Sequence, residues 1–164
     1  MTGSSTDAFG RIVASLDDAM FVVSAAAAGD ADACLVGFAT QCSIDPPRFL
    51  VCLSKRNRTY ELATRARVLV VHRLRDDQHA LAELLGGRSA HDDPDKLATI
   101  GWTPGPGGAP VIDDSDWSAG SVLDRLDVGD HVEFVLAPTA GRGDGATPLG
   151  FQHARDIDAG QEAG

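Results

Sequence analysis

The sequence lacks the features of several large classes of protein. No apolar run reaches the roughly 20 residues that an α-helix needs to cross a bilayer. Residues 1–7 are small and polar, without the basic start and apolar core of a signal peptide. Asp and Glu outnumber Lys and Arg by 24 to 14, and the net charge of −10 would repel nucleic acids and anionic membranes. We therefore expect a cytoplasmic protein that binds neither.

Patterns typical of metal, disulfide and dinucleotide sites are missing as well. The three cysteines have no metal-ligand spacing, and their odd number without an export signal indicates reduced thiols in the core or a pocket wall: Cys34, Cys42 and Cys52. Four of the five histidines are scattered, with no pair at ligand spacing, so we expect no metal. No glycine-rich turn links a predicted strand to a predicted helix, which argues against a Rossmann nucleotide site.

Length and composition indicate one globular domain. The chain has 164 residues, of which 43% are hydrophobic and 23% charged, enough to build a buried core. No internal repeat or linker divides it. We expect the domain to span residues 8–157, with flexible termini at 1–7 and 158–164.

The first half of the chain reads as a short helix followed by strands. Apolar spacing predicts an amphipathic helix over 8–16, and a continuous apolar run over 19–28 predicts a buried strand. After a turn at Gly29, a return strand is expected over 34–40. Pro46 and Pro47 then force an extended entry into a buried strand over 48–54.

The second half continues this alternation. Helices are expected over 59–66 and 76–85, with an exposed polar segment over 89–96 and an irregular segment over 103–110. Further strands are expected at 68–71, 111–112, 117–123, 131–137 and 149–157. Many short strands with few helices predict a mainly β (α+β) fold, a closed or nearly closed barrel rather than a doubly wound sheet.

The stretch from Cys34 to Thr59 carries the clearest motifs. A strand ends in small and polar residues, a Ser-Ile-Asp-Pro-Pro corner follows over 43–47, and a buried strand leads into a basic loop. Further along come Gly-Ala-Pro-Val-Ile over 108–112 and Gly-Asp-His over 129–131. In this order the motifs resemble those of the flavin reductase-like, FMN-binding split-barrel family. The resemblance covers about residues 9–155.

The resemblance implies an FMN-binding split β-barrel with short flanking helices, working as an NAD(P)H-dependent flavin reductase. NADH or NADPH would be the co-substrate, the protein would be a homodimer, and a flavin-dependent monooxygenase could accept the reduced flavin. The flavin contacts it implies are Phe38, Ala39, Thr40, Gln41, Cys42, Ser43, Ser54, Lys55, Asn57, Arg58, Thr59 and His131. His131 would border the flavin ring and the nicotinamide, and no catalytic acid or base is required.

The residues alone leave two interpretations open at each part of this site. Small side chains over 40–43 let backbone amides approach the edge of a flavin, but they also suit the end of a strand. The basic loop over 55–59 is the densest basic patch in an acidic chain and can bind a phosphate, but it can also be a solvated turn. His131 can equally cap a barrel turn, with Asp130 holding its ring.

Three positions of the strand before the corner depart from the family pattern. Leu35, Gly37 and Phe38 stand where family members typically carry Thr, Asn and Ser, so side-chain donors to the flavin are lost and backbone amides must compensate. Two alternatives follow from this loss: a flavin-binding carrier without turnover, or a relative that uses a deazaflavin or haem. For haem, Tyr60 is the only tyrosine and is poorly placed as an axial ligand.

Overall fold

The computed structural model describes residues 4–87, 93 and 95–157, and antiparallel strands dominate it. The strands are β1 (Phe21–Ala27), β2 (Asp30–Val36), β3 (Ala39–Ser43), β4 (Arg48–Ser54), β5 (Val68–Arg73), β6 (Trp102–Pro104), β7 (Pro110–Ile112), β8 (Asp116–Asp127) and β9 (His131–Arg142). Seven of them form one sheet in the order β2-β1-β5-β8-β9-β4-β3, and β6 pairs with β7.

The connection between β2 and β3 shows how the sheet curls. These strands lie at opposite edges of the sheet, yet only Gly37 and Phe38 separate them in the chain. An extended chain spans at most about 3.6 Å per residue, so the two edges lie within roughly 10 Å of each other. No ladder of hydrogen bonds joins these edges within the described residues. The fold is therefore an open, split barrel, which confirms the predicted fold class; of the closed and nearly closed forms expected, the barrel is not the closed one.

The predicted return strand over 34–40 is wrong in its extent. The hairpin partner of β1 is β2, which starts at Asp30 and ends at Val36, and the remaining residues belong to β3 on the far edge. The apolar pattern runs on through Gly37 and Phe38, so local sequence gave no sign of the corner. By contrast, β4 has the bounds predicted for it.

Alternate residues of the curled sheet fill the barrel. Val51 and Leu53 of β4 point inward with Phe134 of β9, and all three are almost fully buried. Helix α2 (Arg58–Ala63) closes one end by inserting Leu62 and Ala63 into the same cluster. The β4–α2 connection thus sets the position of the basic loop at that end of the barrel.

The other helices lie outside the barrel. They are α1 (Ser5–Ala14), α3 (His79–Gly86) and α4 (Phe151–Ala154), with 3-10 turns at Lys96–Thr99 and Pro106–Gly108. Helix α1 starts with a capping box between Ser4 and Asp7, inside the segment predicted as a flexible terminus. Its apolar residues Phe9 and Ile12 are exposed.

Three expectations for the second half are corrected by the structure. The ends of the segment predicted as irregular, 103–110, form the β6–β7 hairpin, in which Pro104 pairs with Pro110 and the glycines lie in the turn between the two strands. The predicted strand over 149–157 contains α4 instead. The expected exposed segment over 89–96 lies largely outside the described residues, but Lys96 at its end is buried.

Candidate functional site

The structure divides the predicted flavin contacts between the two ends of β3. The register of β3 and β4 pairs Ala39 with Val51 and Gln41 with Phe49. Phe38 and Ala39 therefore lie towards the end of β4, beside the basic loop, whereas Gln41, Cys42 and Ser43 lie towards its start. Thr40 stands between them, opposite Leu50. The first group forms the candidate site with Ser54, Lys55 and His131.

The free edge of β3 presents backbone groups at this site. β3 is the terminal strand of the sheet, and the Cys52 amide donates to the Phe38 carbonyl at 2.9 Å. Because backbone groups alternate in direction along an antiparallel strand, Ala39 and Gln41 turn theirs away from β4. These outward donors and acceptors are of the kind that the polar edge of a flavin ring needs.

Phe38 and His131 form an aromatic pair beside this edge. Their ring centroids lie 5.1 Å apart at an interplanar angle of 58°, and Phe38 is 62% exposed. His131 Nδ1 lies 2.7 Å from Asp130 Oδ1, and this hydrogen bond lowers the pKa of the Asp130 carboxyl. The pairing of Ser54 with His131 joins this aromatic pair to the start of the basic loop. A flat ligand can therefore lie against Phe38 with its tail towards the loop.

Lys55 and Arg58 of the basic loop have acidic partners. Lys55 Nζ lies 2.7 Å from Asp127 Oδ2, and Arg58 lies 2.8 Å from Asp30 Oδ2. The hydrogen bond from Lys55 lowers the pKa of Asp127. Exposed ion pairs of this kind contribute only about 0–1 kcal/mol, so a phosphate dianion can displace the carboxylates. The charges of Lys55 and Arg58 are thus balanced by carboxylates of the protein itself.

Thr59 lies beneath the loop rather than on its surface. It is fully buried, its hydroxyl donates to Asp32 Oδ2 at 2.7 Å, and its amide donates to Asn57 Oδ1 at 2.9 Å. The hydroxyl and the amide of Thr59 are therefore both engaged within the protein. The contacts predicted for Asn57 and Thr59 stay predictions, and the structure adds a role for both residues in shaping the loop.

A buried ion pair supports Thr59, and sequence reasoning missed it. Lys96 Nζ lies 3.4 Å from Asp32 Oδ1, and the two side chains are only 1% and 2% exposed. Asp32 sits at an inward position of β2 among apolar residues. An acidic residue inside an apolar strand is a sign of a buried partner, but its identity depends on the fold.

The cysteines differ in their surroundings. Cys34 is buried next to this network, and burial raises the pKa of its thiol to about 12, so it is not an activated nucleophile. Cys52 is half-buried, and Cys42 is exposed on β3. The expectation of buried or pocket-wall thiols is therefore wrong for Cys42.

The described part of the chain contains neither a cluster of metal-ligating side chains nor a helix suited to crossing a membrane. Among those residues no group of three or more His, Cys, Asp or Glu side chains converges as metal ligands. No helix there is both long and apolar enough to span a membrane.

These features define a class of protein: a split antiparallel barrel with a free strand edge next to a basic loop. The family model of the flavin reductase like domain matches residues 13–158, and the chain belongs to that family. This confirms the resemblance seen in the motifs.

Known proteins of similar sequence and structure agree with this assignment. The chain is 32% identical over 134 residues to a "Probable flavin reductase" of Rhizobium meliloti, covering 79% of this chain and 42% of that protein. It is 33% identical over 126 residues to the FMN reductase (NADH) RutF of Klebsiella pneumoniae, covering 72% and 76%. The styrene monooxygenase flavin reductase of Pseudomonas putida S12 superimposes with a TM-score of 0.74 at 26% identity, covering 90% of this chain and 93% of that one. The chain spans about half the length of the first curated relatives it matches.

Proposed function

We propose that this protein is an FMN-dependent NAD(P)H:flavin oxidoreductase that supplies reduced flavin to a partner monooxygenase. The observation that carries the proposal is the continuous surface at one end of the barrel. It joins the free edge of β3, the Phe38–His131 pair and the basic loop after Ser54. The names of two relatives support it: one is an FMN reductase that uses NADH, and one is the flavin reductase of a monooxygenase.

The residues of this surface can divide the work of binding between them. The outward backbone groups of Ala39 and Gln41 would meet the polar edge of the ring, and Phe38 would pack against its flat face. Ala39 pairs with Val51, which precedes Ser54 by three residues, so edge and loop are roughly 10 Å apart at about 3.3 Å per residue. The ribityl chain and phosphate can bridge that span to Lys55 and Arg58.

The chain's contribution to the reaction is positioning and electrostatics. A bound flavin accepts a hydride from a nicotinamide and supplies the redox chemistry itself. His131, held by Asp130, would border the side on which the nicotinamide arrives. Since hydride transfer to a flavin needs no protein acid or base, we assign no catalytic residue beyond this contact.

A homodimer would complete the site. Around the candidate surface, large apolar side chains stand in solvent, with Phe38 62%, Leu126 56% and Val128 52% exposed. Clustered exposed apolar side chains mark surfaces that another molecule covers. A second copy of the chain, packed over this end of the barrel, would cover these side chains and the open face of the flavin.

Spectroscopy and kinetics on the purified protein test the proposal. We expect a yellow complex on adding FMN at micromolar concentrations, and oxidation of NADH or NADPH at catalytic amounts of protein. Parallel assays with FAD and with each nicotinamide nucleotide give the preferences. Failure to bind any flavin at micromolar concentrations contradicts the proposal.

A flavin carrier without turnover is the second candidate. It is favoured by the apolar or small residues Leu35, Gly37 and Phe38, which offer no side-chain donor to the ribityl chain or the ring. A carrier would bind FMN in the same experiment, while nicotinamide oxidation would stay at the rate of free FMN. That result would replace the reductase with the carrier.

The ion pair of Arg58 with Asp30 gives a prediction for the phosphate. Replacing Arg58 by Ala removes a charge-assisted bond worth about 1.5–3 kcal/mol, so the Kd of FMN should rise about 10- to 100-fold. Replacing Asp30 by Asn frees the guanidinium from its competitor and should lower the Kd of FMN by up to about 5-fold. Fluorescence titration of both variants measures these changes.

Riboflavin and a charge-matched variant serve as controls for this prediction. Riboflavin has no phosphate, so its affinity should stay the same in both variants. Arg65→Ala removes an equal charge from an exposed position beyond α2 and should leave FMN affinity within about 2-fold. Equal losses of FMN and riboflavin in Arg58→Ala would place the phosphate elsewhere.

A further inference from the structure

Strand β2 holds the basic loop through two carboxylates. Asp30 and Asp32 stand two residues apart on β2, so their side chains lie on the same face of the strand. Asp30 pairs with Arg58 at 2.8 Å. Asp32 accepts a hydrogen bond at 2.7 Å from the hydroxyl of Thr59. The two acids therefore hold the first two residues of α2, where the loop ends and the helix begins.

The two carboxylates differ in how a ligand can affect them. The Asp30 side chain is 60% exposed, so a phosphate group that binds Arg58 can displace it into water. The Asp32 side chain is only 2% exposed, and Lys96 Nζ lies 3.4 Å from its other oxygen, Oδ1. Separating this buried pair would leave a charge without its counter-charge inside the protein. The bond from Thr59 to Asp32 should therefore persist when the loop binds a ligand.

The contact with the loop accounts for the buried pair better than stability does. Two charges lose their hydration on burial, and apolar residues of similar volume in their place are often equally stabilising. What apolar residues cannot supply is a fixed, charged acceptor for the Thr59 hydroxyl at the base of the loop. We propose that Asp32, held by Lys96, is a positioning residue for the flavin phosphate. Its bond to Thr59 fixes the start of α2 and thereby the position of Arg58.

This role of Asp32 rests on the proposed function, because it concerns the same phosphate site. It gives the Thr59 hydroxyl a different part from the one that the family resemblance implies. Thr59 is fully buried and its hydroxyl is bonded to Asp32, so it acts on the phosphate through the neighbouring Arg58 rather than by contact.

Two double variants separate the hydrogen bond from the buried charge. Asp32→Asn/Lys96→Met keeps an amide oxygen that can accept from Thr59, whereas Asp32→Leu/Lys96→Met, the apolar double variant, has no acceptor there. Neither buries a charge. In fluorescence titrations we expect the first to bind FMN within about threefold of wild type, and the apolar double variant to bind it about tenfold more weakly. Riboflavin has no phosphate, so its affinity should be the same in both.

A second cycle leaves the ion pair intact and applies even if the apolar double variant does not fold. Thr59→Val removes the hydroxyl and should weaken FMN binding about tenfold, with riboflavin unchanged. In an Arg58→Ala background there is no guanidinium left to position, so Thr59→Val should change FMN affinity by about twofold or less. A hydroxyl that contacts the phosphate itself would cost the same factor in both backgrounds.

Several results would contradict the positioning role. Equal losses of FMN and riboflavin in the apolar double variant would mean that the pair only maintains the fold. Wild-type FMN affinity in that variant, or an equal effect of Thr59→Val with and without Arg58, would mean that Asp32 does not act through Thr59 and Arg58. If the wild-type protein binds neither flavin, the proposed function fails and the role of Asp32 with it.

Discussion

Replacing Lys96 by Met should destabilise the protein by about 3–5 kcal/mol, since it leaves the Asp32 carboxylate buried without its counter-charge. Only the Thr59 hydroxyl would still bond to that carboxylate among the partners named above. Such a loss is a large fraction of the 5–15 kcal/mol by which domains are typically stable. Urea unfolding followed by circular dichroism measures it.

A double-mutant cycle identifies the cause of that loss. Asp32→Asn alone should also be destabilising, because the buried ammonium group of Lys96 loses its ion pair with the Asp32 carboxylate. The double variant Asp32→Asn/Lys96→Met buries no charge, and its new amide oxygen can still accept from Thr59. We expect it to recover most of the stability. If the losses of stability in the two single variants simply add in the double variant, the broken charge pair is not the cause of the destabilisation.

Acidification should weaken the fold through His72. This side chain is fully buried between β1 and β7, with Nδ1 3.1 Å from the Val22 carbonyl and Nε2 accepting from the Ile112 amide at 3.1 Å. Nδ1 must therefore carry the proton, and Nε2 must be free of one. Burial lowers the pKa of His72 from 6.5 to about 4. The folded protein thus holds the imidazole neutral where the unfolded chain would protonate it.

The direction and size of the pH effect follow from linkage. Between pH 6.5 and about 4 the unfolded chain binds more protons at His72 than the folded one, so the free energy of unfolding falls as the pH falls. The contribution is complete above pH 6.5 and is lost by about pH 4. At 1.36 kcal/mol per pKa unit, it amounts to about 3 kcal/mol.

His72→Gln is the matched control for this effect. A glutamine can donate to Val22 and accept from Ile112 but does not titrate in this range. Urea unfolding at pH 7 and pH 4 should show about 3 kcal/mol more loss in the wild type than in the variant. Carboxylates titrate equally in both proteins and cancel in the difference. Equal losses would mean that His72 does not couple stability to pH.

Local patterns predicted the individual elements well where the chain signals its own boundaries. The prolines before Arg48 and the charges after Ser54 delimit β4, which has the predicted bounds. Prediction failed where the chain carries no local sign of a boundary. The apolar run through Gly37 and Phe38 gives no indication of the corner that joins two edges of the sheet. The strand expected over 149–157 contains a helical turn, because a short apolar segment is compatible with either structure.

The candidate site, too, could be predicted from the sequence only in part. The ordered motifs identified the family and the two segments that meet at the site, the strand from Phe38 and the loop after Ser54. They could not show that Thr59 is buried, that Lys55 and Arg58 are already paired with acids, or that Gln41 lies at the other end of β3. Each of these depends on a partner from a distant part of the chain.

The sequence by itself determined the family, the mainly β fold and the basic loop, because these depend on local periodicity, turn residues and motif order. Only the tertiary structure decided that this loop rests on the Asp32–Lys96 pair, and that β2 and β3 come together as open edges. The physical reason is that burial, charge pairing and cavities arise between strands distant in the chain, where no local pattern records the partner.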